Sequence, residues 1–126
     1  MPFGGNDWLA LTQEESLEPD LPICDPHHHL WDHRLERIPF QRYLIQELAD
    51  DMNSGHNIRS TVFVEARSMY RADGPDDMKP VGEVEFVQGQ AAASAAGLYG
   101  PGRAAAAIVG HANLNLGGGV KPVLEA

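Results

Sequence analysis

Asp25-Pro26-His27-His28-His29-Leu30-Trp31-Asp32 is the stretch on which the reading of this chain turns. Its three consecutive histidines stand directly after a short apolar run, Leu21-Pro22-Ile23-Cys24, and directly before a polar loop. If that run is a β-strand, successive side chains alternate between its two faces. His27 and His29 then project to one side. His28 projects to the other, where it packs under the following helix or caps the loop. Asp25 shares the parity of His27 one layer deeper, so it either orients a histidine or accepts backbone hydrogen bonds. Two parallel imidazoles on a rigid strand end make half of a metal site, or a pair of donors aimed at a substrate oxygen. Both readings stay open at this level.

Upstream, residues 1–20 read as an arm with one short helical turn, closed off by Pro19 and Pro22 before the strand. Downstream, a charged loop over 32–40 ends at Pro39, and then the period changes. Leu44, Ile45, Leu48, Ala49 and Met52 recur at helical spacing, and Asn53-Ser54-Gly55 ends that helix. Thr61-Val62-Phe63-Val64-Glu65-Ala66 reads as a strand buried on both faces. After a loop over 67–80, a second helix sets Val81, Val84, Val87 and Ala91 on its inner face. Glu83, Glu85 and Gln88 fall on its outer face. A turn at Tyr99-Gly100-Pro101-Gly102 leads to a third apolar run, 104–110, which ends at His111. Gly117-Gly118-Gly119 breaks the chain again, and residues 120–126 begin a third helix.

Strands alternating with helices predict right-handed crossovers and a parallel α/β sheet. In such sheets ligands gather at the carboxyl ends of the strands. Here those ends carry His27 and His29, then Glu65, then His111, while the strand bodies are almost wholly apolar. Glu65 and His111 are therefore candidate substrate contacts. Arg67, Tyr70 and Arg71 lie on the loop after the second strand, and a guanidinium fork there suits an anionic carboxylate. Trp31 and Tyr43 line a pocket or pack against the first helix. His33 and His56 read as surface positions, and Cys24 as a small buried strand residue.

Composition narrows the function classes. The chain has 126 residues, one domain at most, with 43% apolar and 21% charged residues. A net charge of −9 argues against nucleic acid and anionic membrane as partners. No apolar run approaches the roughly 18 residues of a membrane span. The single cysteine and the acidic N-terminus lead to the expectation of a reducing, cytoplasmic setting without a secretory signal.

The histidine stretch resembles the first-strand signature of the amidohydrolase superfamily, and more narrowly the amidohydrolase-related family of metal-dependent hydrolases. Val62-Phe63-Val64-Glu65-Ala66, Val81-Gly82-Glu83-Val84-Glu85-Phe86-Val87 and Ile108-Val109-Gly110-His111-Ala112 look like that family's second strand, second helix and third strand. The resemblance implies a (β/α)8 TIM barrel with its active site at the mouth. Residues 21–126 would be about three βα units of it, since a whole barrel takes about 250 residues. His27 and His29 match the family's H-x-H pair, as ligands of a divalent metal such as zinc or, as in metal-free lactone-hydrolysing members, as direct contacts to substrate. The family's remaining histidines and its eighth-strand aspartate have no counterpart here, so the chain looks like an N-terminal fragment. Asn113 departs from the pattern, which has an aspartate after the third strand. The implied activity is hydrolysis of a lactone, ester or amide bond of a small acidic metabolite by a homo-oligomeric or monomeric enzyme. Two other outcomes are a metal-dependent decarboxylase of the same family and an inactive truncated fragment.

Overall fold

The apolar runs on either side of the histidines become strands, and the helical periods become the helices that cover them. The computed structural model describes residues 6–34 and 40–126. In chain order these form α1 (Asn6–Leu9), β1 (Pro22–His28), β2 (Trp31–Asp32), β3 (Arg42–Tyr43), α2 (Ile45–Met52), β4 (Asn57–Val64), α3 (Val81–Ala95), β5 (Arg103–Val109) and α4 (Lys121–Leu124). Short 3-10 turns occupy Asp76–Met78 and Leu114–Val120. Of the loop predicted over 32–40, residues 35–39 lie outside the described residues, as do the first five of the predicted arm.

β1, β4 and β5 pair in parallel, in that order across the sheet, while β2 and β3 form a two-residue antiparallel pair. The chain is thus a mixed α/β fold around a three-stranded parallel sheet. Its two crossovers carry α2 and α3, which meet each other and close over one face. The core on that face joins Leu30, Ile45, Leu48, Met52, Phe63, Val87, Ala104 and Ala105. Phe63 and Val87 are fully buried, each removal from water favouring the fold by about 1.5–3 kcal/mol.

The opposite face is apolar but open. The register sets Val62 beside Ala107 and Val64 beside Val109. Val62 and Val64 are half-buried, and Val109 is 50% exposed. The expectation that the second strand is buried on both faces therefore fails, because both covering helices lie on one side. Cys24 corrects a second expectation. It pairs with Ser60 on edge strand β1 and is exposed.

α3 corrects a third. Glu83, read as an outward residue, is 1% exposed, whereas Val84, read as inward, is 36% exposed. The inner stripe runs through Glu83, Val87, Gln90 and Ser94, the i, i+4, i+7, i+11 positions of a helix. Its polar members each bond to backbone. Gln90 accepts the Ile45 N–H, Glu83 accepts two N–H groups of the preceding loop, and Ser94 accepts the Ala104 N–H. These backbone partners hold polar residues on the inner face, although among the described residues Glu83 Oε1 is buried without one. The expected third helix is short, and the glycines before it form a 3-10 turn with a kink at Gly117 rather than a break. No helix among the described residues is long and apolar enough to cross a membrane.

Candidate functional site

The end of β1 is not a regular strand. Cys24 and Asp25 pair with Ser60 and Thr61, but the next pair is His28 with Phe63, so three steps along β1 answer two along β4. Pro26 lies within that bulge. It has no N–H to give the ladder, which is why a proline is tolerated there. The bulge seats His28 on the buried row of Thr61 and Phe63. Its Nε2 lies 2.8 Å from Thr61 Oγ1, and its ring meets Phe63 edge-on at 5.8 Å. Burial, first among the causes, holds the His28 pKa below its ordinary value.

His27 and His29 take the other side, as their alternation predicts. Their Nε2 atoms converge to 3.3 Å, with the rings nearly perpendicular. His29 Nδ1 lies 2.7 Å from the Val64 carbonyl oxygen on β4. A carbonyl only accepts, so Nδ1 carries the proton and Nε2 presents its lone pair. That is the arrangement of a metal-ligating histidine, whose other ring nitrogen donates to a fixed acceptor. Two zinc–nitrogen bonds of about 2.0–2.1 Å at a tetrahedral angle place the nitrogens about 3.3–3.4 Å apart. The observed separation fits that edge. With no cation between them, the same distance is a hydrogen bond from His27 Nε2–H to His29. Asp25 accepts the His27 backbone N–H at 3.1 Å, the second of the two roles its position suggested. Among the described residues no group of three or more His, Cys, Asp or Glu side chains forms a complete ligand set, so the pair supplies two donors.

Beside the pair, the segments leaving β1 and β4 face each other. Trp31, Asp32, His33 and Arg34 form one wall of a cleft of about 260 Å³, and Ala66, Arg67, Ser68 and Met69 form the other. Trp31 stacks on Tyr43 at 5.1 Å and donates its ring N–H to the Phe40 carbonyl. Burial raises the Tyr43 phenol pKa, helped by its hydrogen bond to Asp51. The Glu65 N–H donates to the Val109 carbonyl, continuing the ladder beyond β4. Tyr70 is half-buried. Its phenol is pushed up by burial and then by the charges of Glu83 and Glu65, with Arg67 opposing. Glu65, Arg67, Tyr70 and Glu83 therefore share one electrostatic neighbourhood. Arg71 instead pairs with Glu85 on α3. His111 stands apart, exposed on a separate cavity of about 690 Å³ whose walls include Val81, Val84, Leu114 and Val123. His33 and His56 are exposed, as expected.

Glu83 is the residue that pattern reading missed, since an acidic side chain in a first helical turn is normally a solvated one. The signal that could have found it was its neighbour. A Cβ on Gly82 would stand 2.6 Å from the Arg71 nitrogen and 2.7 Å from the Met69 oxygen, so only glycine lets the loop lie against the helix. The chain matches no family model, no curated protein and no solved structure.

Proposed function

We propose that this chain carries the first three strands of an amidohydrolase-type (β/α)8 barrel, and that the complete enzyme hydrolyses a lactone, ester or amide of a small acidic metabolite. The observation that carries the reading is the histidine pair, with converging Nε2 atoms and His29 Nδ1 tied to a backbone carbonyl. The sequential strand order supports a barrel but is shared with half of a dinucleotide-binding sheet. The end of β1 favours the barrel. It reads Pro26-His27-His28-His29, with none of the glycines a pyrophosphate would need.

A bound divalent ion such as zinc would supply Lewis acidity and lower the pKa of a water from about 15.7 to about 7. His27 and His29 would hold it through Nε2, with the remaining ligands coming from later strands. The chain's own residues do the rest. Val64 fixes the tautomer of His29, so its Nε2 can only accept or ligate. His27, exposed and anchored through its backbone to Asp25, holds its Nε2 at the same point as that of His29.

The test is a cobalt(II) titration of the full-length protein followed in the visible region, together with assays of its lactone opening and carbon dioxide release. One ion per chain is expected, lost in His29→Ala. Absence of saturable binding by either cobalt or zinc, with no histidine-dependent hydrolysis, overturns the reading. Carbon dioxide release without hydrolysis would replace it with a decarboxylase.

A further inference from the structure

The cleft between 31–34 and 66–69 has features that the histidine pair does not explain. Arg67 and Met69 both take left-handed backbone conformations, each at φ 55°, a region that non-glycine residues rarely occupy. Between them sits Ser68, which is buried. Such a loop persists only where the surroundings hold it. Here the hold is Glu83, whose Oε2 accepts the N–H of Ala66 at 3.0 Å and of Ser68 at 2.7 Å. The loop is drawn inward at 66 and 68 and turned outward at 67. Arg67 is left exposed on the cleft wall, and among the described residues its guanidinium makes no hydrogen bond or ion pair.

The facing wall presents Arg34, whose guanidinium carbon lies 5.7 Å over the Trp31 ring and whose Nη1 donates to the Ala66 carbonyl at 3.5 Å. Among the described residues Asp32 is the one carboxylate lining the cleft, with His33 beside it at 3.9 Å. In a chain of net charge −9, the two walls thus each bring one guanidinium to the same small cleft.

We propose that this cleft binds the carboxylate of a small organic acid, with Arg67 as its principal cation and Glu83 as a positioning residue acting through the loop backbone. A planar guanidinium with forked donors matches a carboxylate edge-on. A volume of about 260 Å³ lies just under the roughly 300–1,000 Å³ of whole-ligand pockets, so the cleft takes one end of the acid. The other end extends toward the histidine pair, because the two walls continue from β1 and β4, which the His29–Val64 bond joins. The inference rests on the hydrolase reading only in making that acid a substrate.

The experiment is equilibrium binding of succinate to the full chain at low salt. It is read by calorimetry and by tryptophan emission in a Trp8→Phe background, which leaves Trp31 as the reporter. Saturable binding is expected, weakened about tenfold or more by Arg67→Gln and less by Arg67→Lys. Arg59→Gln, on an exposed sheet position, should leave it unchanged. Glu83→Gln should weaken binding and speed amide exchange at Ser68, while adding nothing to the loss in Arg67→Gln. Wild-type binding by Arg67→Gln, or an equal loss in Arg59→Gln, overturns the site. Additive losses in the double variant overturn the positioning role. Binding of inorganic phosphate without binding of succinate overturns the carboxylate assignment. Arg67→Gln should lose succinate binding while still binding cobalt(II) as the wild type does, so failure of this site is separable from failure of the histidine pair.

Discussion

Thr61 shows how much one hydroxyl can hold in this fold. Its oxygen accepts the Ala105 N–H at 2.8 Å, and its proton is available to His28 Nε2 at the same distance. Thr61→Val keeps the shape but leaves two buried polar groups unpaired. The expected loss is about 2–4 kcal/mol, read from the shift in urea midpoint; a loss within error of zero would show that the two bonds carry nothing. Burial makes His28 beside it sensitive to pH. The unfolded chain takes up a proton near the ordinary histidine value of 6.5, while the folded chain does so only at lower pH. The unfolded state therefore binds more protons within that window, and stability falls as pH drops through it. The melting temperature should decline between about pH 7.5 and about pH 5.5, and less steeply in His28→Gln. Identical slopes in the two proteins would assign the decline to other groups.

α3 carries two glycines that make opposite predictions. A methyl placed on Gly89 would meet nothing within 4 Å, and the residue sits inside a helix, so Gly89→Ala should stabilise by about 0.5–1 kcal/mol. Gly82→Ala would drive a methyl against backbone atoms of the loop and should destabilise by about 1–3 kcal/mol. Thermal melts of the two variants check the contrast, and equal shifts would mean the loop does not press on the helix. Glu83→Ala should expose the Ala66 and Ser68 amides to exchange while leaving α2 protected. The helix itself was readable from composition, because its alanines and spaced apolar residues favour helix at any phase. Its phase was not readable, since Glu83 is drawn inward by N–H groups fifteen and seventeen positions earlier in the chain.

Across the whole molecule, the sheet has a covered face and an uncovered one. Val62, Val64, Ala107 and Val109 form an apolar surface next to edge strand β5. Such an edge favours association, against which a net charge of −9 supplies repulsion. Sedimentation at roughly 100 µM should show self-association that Val109→Lys reduces. A monomer that binds no hydrophobic dye would sink that expectation. The alternation of strands and helices, the apolar strand bodies and the position of the histidine pair follow from local periodicity. Neighbours in the chain set these features, and they can be read along the chain. The bulge at Pro26-His27, the burial of Glu83, the open face that leaves Cys24 exposed and the cleft between Arg34 and Arg67 depend on contacts between distant segments: His28 with Thr61, His29 with Val64, Glu83 with Ser68. No local pattern encodes those pairings, because each is settled only when the strands align and the helices close over them.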